Sequence, residues 1–369
     1  MSNSSIIVSS NNSSEVADKT LGNEFENTII INFNNNNKYI IIYKLGCGTF
    51  SSVWLSYSLY INQLVALKIY HPREKEESLR ESLIYEKINN SNIDKEYILT
   101  SIEIFEIEPI IDNINYYNND KSINKHHIIV LPLMAISTYD LLDYYDNGIE
   151  YDIILTVCKQ LILGLIEFEK LNLCHTDLKP ENILMCGITY KMEYIENFIK
   201  NLNLNINMDD EILNNNIILI KNKLNEYTDG KCDMIIDKYF DNIKIKICDF
   251  NLSVDYENLC NYKDFQTRYY RAPEIIMGYN LNKVSDYWSI PCILFELLTG
   301  NILFNPEKKN NLINVKNKIK YWKLKDIIKK YKLKKSKELV LILKIINIML
   351  VIEPTKRISL KYILDNYLN

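Results

Sequence analysis

No run in this sequence approaches the ~18 consecutive apolar residues that a membrane-spanning helix needs. Its first twenty residues, MSNSSIIVSSNNSSEVADKT, carry neither the basic start nor the apolar stretch of a secretory signal, so an intracellular protein is expected. The eight cysteines, at 47, 158, 174, 186, 232, 248, 260 and 292, include no CxxC pair. Neither a zinc site nor a redox dithiol is therefore indicated, and reduced thiols are expected. His126 and His127 have no cysteine or acid at ligand spacing and read as surface residues rather than metal ligands. Glycine is scarce too, at nine in 369 residues.

What remains is an ordinary globular composition, 47% hydrophobic and 24% charged, long enough for one large or two medium domains. The net charge of −4 is unevenly spread, with thirteen lysines against three acids between Glu307 and Glu338. Clustered lysines attract phosphates, but the only aromatics among them are Tyr321, Trp322 and Tyr331, so direct nucleic-acid binding is disfavoured. The segment 187–242 is acidic, with six lysines and ten acids. Asn, Ile, Lys and Tyr abound throughout, a bias of A+T-rich codons that weakens any argument from an Asn or Lys run alone.

Residues 1–24 are Ser/Asn-rich without apolar period and are expected to be a disordered tail. Next come NTIIINF, KYIIIYKL and QLVALKIY, short β-rich runs with the asparagines 34–37 as a turn. ESLRESLIYEKI then places Leu79, Leu83, Ile84 and Ile88 on a helical stripe, and HHIIVLPLM is a further strand. After Asp140 the pattern turns helical: DIILTVCKQLILGLIEFEKL, SDYWSIPCILFELLTG, KELVLILKIINIML and SLKYILDNYL. An α+β fold of two lobes follows, a small β-rich one before a larger helical one, with a cleft between them. The polar segment 187–242, with weak helical pieces at KMEYIENFIKNL and DEILNNNIILIKNKLNEY, is too long for an ordinary loop and reads as a mobile insert.

Two of the nine glycines, Gly46 and Gly48, stand one residue apart in LGCGTFSSVW, between strand-like runs. A hairpin turn explains them as well as a phosphate cradle does. Lys68 of VALK lies among apolar neighbours, where its ammonium needs an anion, a phosphate or a carboxylate. Glu81 on the following helix is the candidate carboxylate, and Glu77 one turn earlier is the fallback. HTDLKPEN gathers Asp177, Lys179 and Asn182 after an apolar helix, and Asp249 ends the strand pattern KIKICDF. Singly these are modest signals. Their order and spacing agree: GxG, VALK, a helical Glu, DxKxxN, DF, APE.

That series resembles a eukaryotic protein kinase from about Asn27 to the C-terminus. The resemblance implies a bilobal fold with the tail at 1–24, an N-lobe at 25–131, a hinge at 132–134 and a C-lobe at 135–369 carrying the 187–242 insert. It implies ATP and Mg2+ as cofactors. Gly46 and Gly48 would admit the phosphates, and Lys68 would contact them while paired with Glu81. Leu45, Val53, Ala66 and Leu184 would enclose adenine, with Leu131 as gatekeeper before Pro132, Leu133 and Met134. Asp177 would accept the substrate proton, Lys179 would neutralise the transferred group, and Asn182 and Asp249 would hold the metal. Glu274 would pair with Arg357, and Asp286 would anchor the catalytic loop.

TRYYRAPE, with Thr267 and Arg271, resembles the CMGC group. Within it HTD in place of HRD, GCGTFSSVWLS, the position of the insert and LFELLTGNILFNP resemble SR protein kinases. Protein substrates are implied, Arg/Ser-rich splicing factors among them, with Glu181 able to meet a substrate arginine. A monomer working in cytoplasm and nucleus is implied as well. Thr176 replaces the arginine that would bind an activation-segment phosphate, so constitutive activity is expected.

Three positions depart from the pattern. Asn251 stands for the glycine of DFG, where asparagine best tolerates a left-handed backbone. Pro291 interrupts a helix and is expected to kink it. The region of the acidic docking groove of SR kinases is short here and lysine-rich. Another CMGC kinase, dual-specificity or cyclin-dependent-like, and an inactive kinase-like scaffold are the alternatives.

Overall fold

The computed structural model describes residues 25–26, 28–108, 125–145, 148–188, 190–228, 243–256, 265–279, 281–305 and 324–368. The tail at 1–24, the end of the insert, Cys232, Cys260, Tyr262 and most of the lysine-rich stretch, with Tyr321 and Trp322, lie outside them.

The N-terminal half builds one antiparallel sheet from β1 (Ile29–Asn32), β2 (Asn37–Cys47), β3 (Ser51–Ser58), β4 (Gln63–Tyr70), β5 (Glu103–Ile107) and β6 (His126–Pro132), with helix α1 (Lys75–Asn90) between β4 and β5. The order across the sheet is β1-β2-β3-β4-β6-β5. Its two margins curl together: Glu103 of β5 accepts hydrogen bonds from Asn32 Nδ2 at 2.9 Å and from Asn35, Asn37 and Tyr39 of the first hairpin. Pairing along β6 runs through Pro132 opposite Val65, at the end of the strand, where a missing N–H costs least. Strand β5 had no clear signal in the sequence.

α1 buries only half of the apolar stripe expected of it, with Ile84 and Ile88 inside. Leu79 and Leu83 are 42% and 63% exposed, whereas Ser78, Glu81, Ser82, Tyr85 and Ile88 face inward. The helix turns a partly polar face to the core because Glu81 has a partner there. The histidine reading also changes. His126 and His127 are buried, at 4% and 6% exposure, with His126 Nδ1 3.0 Å from the Tyr70 carbonyl oxygen and His127 Nε2 2.9 Å from Glu106.

The second half is helical. α2 (Tyr151–Lys170) leads to β7 (Leu173–Cys174), the catalytic-loop sequence and β8 (Ile183–Met185); α3 (Tyr190–Asn201) and α4 (Asp210–Thr228) follow, then β9 (Ile245–Ile247) and β10 (Val254–Asp255). β8 pairs with β9 and β7 with β10, all antiparallel, so that the loops holding Asp177 and Asp249 emerge side by side. α5 (Pro273–Ile276) and α6 (Ser285–Thr299) complete the frame, and helix Lys337–Met349 packs on α6 and α2. All fifteen residues of α6 are buried, and the helix runs unbroken through Pro291. The lost backbone bond therefore does not end it, as packing on every side overrides propensity. Arg357 clasps Glu274 with two bonds of 2.6 and 2.5 Å, a buried bidentate pair as expected.

The two helical pieces expected in the insert form full helices, and nothing in the sequence signalled where they lie: over the described residues they pack against the outer face of the N-lobe sheet. Ile195 and Ile199 of α3 and Leu213, Ile217, Ile220 and Leu224 of α4 join Ile40, Ile42, Leu55, Tyr57 and Leu64 in one buried cluster. Glu196 accepts the Leu64 N–H at 3.0 Å, and Lys38 pairs with Asp210 at 3.0 Å. The sheet face of β2 and β3 is itself rich in Ile, Leu and Tyr, so it needs a cover. Ile195→Ala or Ile217→Ala is expected to destabilise the chain by about 2–4 kcal/mol in thermal or urea unfolding. Losses under about 0.5 kcal/mol, the level of an exposed site, would show that the helices are not held there.

Candidate active site

The cleft between the lobes is lined by Leu45, Gly46, Gly48, Val53, Ala66, Lys68, Glu81, Leu131, Pro132, Met134, Glu181, Leu184 and Asp249, with a volume of about 730 Å³. Every residue expected to enclose a nucleotide is therefore at one cavity. Met192 of α3 also lines it, a contribution from the insert that the sequence did not signal. At its roof, a Cβ built on Gly46 would meet no atom within 4 Å, and one on Gly48 only the Ser51 oxygen at 3.8 Å. Bare backbone there borders open space of the kind a phosphate chain occupies.

Lys68 is 7% exposed on β4. Its ammonium lies 3.0 Å from Glu81 Oε1, 2.7 Å from Glu81 Oε2 and 2.7 Å from Asp249 Oδ1. Glu81 is thus the partner, not Glu77. Burial alone would lower the Lys68 pKa, but the charges of Asp249 and Glu81 lift it well above the usual lysine value. For Asp249 confinement works against the charge, yet Lys68 and Lys179 hold its carboxyl below the ordinary range. Both groups are charged at neutral pH. Glu81 also accepts the Phe250 N–H at 3.1 Å and the Tyr70 hydroxyl. Rings of His175, Phe250 and Tyr85 line up behind it, with centroids 5.6 and 5.0 Å apart.

The left-handed residue in DFN is Asp249, at φ 65°, and Asn251 is not left-handed. The glycine position is therefore one that asparagine fills without a steric penalty. Arg80, beside Glu81, reaches the Asn251 carbonyl at 3.4 Å.

Around Asp177 the hydrogen bonds are dense. Its Oδ1 accepts from Thr267 N at 3.1 Å and Thr267 Oγ1 at 2.6 Å, and its Oδ2 from Lys179 Nζ at 2.7 Å. Asn182 Nδ2 donates to the Asp177 carbonyl at 2.9 Å. That commits the amide nitrogen and leaves the amide oxygen as the ligand atom. With Asp249 it forms an oxygen donor set suited to a hard divalent cation.

Asp286 takes the His175 N–H at 2.7 Å and the Thr176 N–H at 2.9 Å, fixing the loop from α6. Thr176 is left-handed at φ 65°, rare for a β-branched residue, and its hydroxyl donates to the Leu252 carbonyl at 2.5 Å. Short local bonds thus tie the loop to the activation segment where an arginine would otherwise reach for phosphate. Arg271 donates twice to the Gln266 carbonyl, at 2.9 and 2.7 Å. Gln266, absent from the sequence reading, also binds Ala272 N and Ser285 O from its buried amide.

Two further buried carboxyls, Glu296 and Asp286, are shifted by their surroundings. Buried Glu296 accepts the Tyr270 hydroxyl at 2.6 Å, and burial pushes its carboxyl up to about 7, with the charge of Glu181 adding to the rise. Burial likewise lifts Asp286 to about 7 against the pull of its two N–H donors. A carboxyl raised on folding stabilises at acid pH and loses that contribution as pH climbs through its folded value. Thermal stability should therefore decline between about pH 4 and 7 from these two groups. Glu296→Gln should flatten that decline, and an unchanged slope in the variant would show that Glu296 does not titrate there.

The family model described as "Protein kinase domain" matches residues 39–192 and 218–368. The chain is similar to protein kinase dsk1 of Schizosaccharomyces pombe, 24% identical over 74% of this chain and 63% of that one. It is similar to serine/threonine-protein kinase SRPK of Physarum polycephalum, 27% identical over 73% of this chain and 62% of that one. It also matches the probable serine/threonine-protein kinase clkA of Dictyostelium discoideum, 30% identical over 73% of this chain and 26% of that one. It therefore spans less than two thirds of the length of each. The crystal structure of the PF14_0431 kinase domain superposes with a TM-score of 0.59 at 22% identity, covering 91% of this chain and 96% of that chain, a likeness of fold.

Proposed function

This chain belongs to the protein kinase family, and from that membership and its CMGC-type relatives we propose an active serine/threonine kinase, constitutively on, that phosphorylates proteins carrying arginine near the acceptor serine. The observation that carries catalysis is the convergence of Thr267, Lys179 and Asn182 on Asp177, in a cleft where Lys68 already bridges Glu81 and Asp249. An inactive scaffold has no use for that charge arrangement.

Each group has a task. Asp177, its carboxylate fixed on both oxygens, retains acceptor sites for a substrate hydroxyl and takes its proton. Lys179 sits 2.7 Å from Asp177, where it faces the negative charge of the transferred group. Lys68 exchanges Asp249 for nucleotide phosphate, freeing the Asp249 carboxylate. Asn182 and Asp249 would hold a divalent cation, magnesium in this reading, which supplies charge neutralisation and orientation to the phosphates.

Constitutive action is supported by Thr176, whose hydroxyl and N–H are satisfied by Leu252 and Asp286 without any phosphate. Arginine recognition is supported by Glu181 and Glu296, two carboxylates in one electrostatic neighbourhood beside the catalytic loop. A guanidinium would relieve their mutual repulsion. A Ser-Pro reading has an observation of its own. Arg271 already occupies the Gln266 carbonyl, so the substrate residue after the acceptor finds no backbone partner there, and proline, without an N–H, loses nothing.

Phosphatase-treated protein is expected to transfer phosphate from Mg-ATP to an Arg-Ser repeat peptide, with Asp177→Asn lowering kcat by at least ~100-fold. Transfer only to a Ser-Pro peptide would move the assignment to another CMGC class, and nucleotide binding without transfer would establish the scaffold. Glu181→Ala should raise KM for the Arg-Ser peptide about tenfold and leave KM for ATP unaltered; equal KM values for the peptide would remove Glu181 from recognition.

A further inference from the structure

Glu81 is wholly buried, and a carboxylate without water needs several donors to stay charged. Two are those its neighbours on the nucleotide side would supply: the Lys68 ammonium and the Phe250 N–H. A third comes from Tyr70, whose hydroxyl donates to Glu81 Oε2. Tyr70 lies on β4 two residues after Lys68, so the strand's period of two puts both side chains on one face, toward α1. The Lys68 ammonium sits 5.4 Å from the centre of the Tyr70 ring, which closes a triangle of Lys68, Glu81 and Tyr70.

We propose that Tyr70 is a positioning residue for the nucleotide: its hydroxyl fixes the Glu81 carboxylate, and through it the Lys68 ammonium and the inward setting of α1. The inference rests on the kinase reading of this cleft. Several features make the role specific rather than one of core filling. Tyr70 is fully buried, so its hydroxyl has no water alternative, and His126 holds the strand at that residue through the Tyr70 carbonyl oxygen. Burial raises the hydroxyl far above the usual tyrosine range; Lys68 opposes that rise and Glu81 adds to it, so Tyr70 stays a donor at any working pH. Tyr85, one turn after Glu81 on α1, is buried as well, but its hydroxyl finds no hydrogen-bond partner among the described residues. A second tyrosine at the same centre thus contributes a ring, and Tyr70 contributes the hydrogen bond.

The arrangement also bears on regulation. Lys68 must move between Asp249 and a phosphate during a nucleotide cycle, and each move would otherwise loosen its hold on Glu81. Tyr70 does not move with it. It keeps one carboxylate oxygen attached to β4 while the ammonium changes partner, so α1 stays inward in both states without a second protein or an activation-segment phosphate.

The test is a double-mutant cycle on the full chain with Tyr70→Phe and Glu81→Gln, read as Kd for Mg-ATP by nucleotide titration and as KM for ATP and for peptide. A hydrogen bond to a buried charge predicts that Tyr70→Phe raises Kd and KM for ATP about tenfold, leaves KM for the peptide within twofold, and adds less than twofold when Glu81 is already Gln. Thermal midpoints accompany each variant, and Tyr70→Leu, which lacks the hydroxyl but packs differently, must show the same Kd change if the hydroxyl is what acts. An unaltered Kd in Tyr70→Phe, or the same tenfold loss in the Glu81→Gln background, overturns the proposal while leaving the kinase reading intact. Failure of the unsubstituted chain to bind Mg-ATP overturns both.

Discussion

A carboxylate sealed from water is the constraint around which this molecule is arranged. Glu81 can remain ionised only if donors surround it, and the three donors come from two separate parts of the chain: Lys68 and Tyr70 from β4, and the Phe250 N–H from the segment after β9. Satisfying that one group fixes how α1 lies on the sheet and where Asp249 stands. It also explains a helix that points leucines at solvent and serines at the core. In energetic terms a buried pair of this kind contributes little net stability, since desolvation offsets attraction. What it supplies is a unique arrangement, because any displacement of α1 strands a buried charge.

The same reasoning extends to the catalytic loop. Asp286 is buried and raised toward neutrality by its surroundings, and the two N–H groups it receives hold His175 and Thr176 in place. Thr176 carries a left-handed backbone that a β-branched residue adopts only under compulsion. The compulsion is local, from Asp286 and Leu252. Asp286 and Leu252 thus hold Thr176 through its N–H and its hydroxyl.

The insert links the two halves in a further way. Its helices start after β8 in the C-lobe, cover the outer face of β2 and β3 in the N-lobe, and return to β9. Met192 meanwhile reaches the wall of the nucleotide cavity. A sheet face of Ile, Leu and Tyr left open would be an aggregation hazard, and covering it with helices that belong to the other lobe joins stability of the sheet to the spacing of the cleft.

How much was legible follows from the range of each interaction. The strands, the long helices and the residues at the cleft could be read because they depend on local periodicity or on motifs whose spacing the chemistry of phosphoryl transfer fixes: Gly46, Lys68, Asp177, Asn182 and Asp249. Single residues read by local preference fared worse. Leu79 and Leu83 looked buried by period, His126 and His127 looked exposed by polarity, Pro291 looked like a break, and Asn251 looked as though it needed a left-handed backbone. In each case the folded surroundings decided: Lys68 for the face of α1, Tyr70 and Glu106 for the histidines, close packing around α6 for the proline, and a left-handed turn at neighbouring Asp249 rather than at Asn251. Sequence by itself determined the two-lobed architecture and the candidate groups gathered around the cleft, since both rest on patterns within a few residues. Only the tertiary structure decided where the insert lies, that Tyr70 completes the shell of Glu81, and that Asp286 and Leu252 hold Thr176, because burial and hydrogen-bond satisfaction are properties of groups brought together from across the chain.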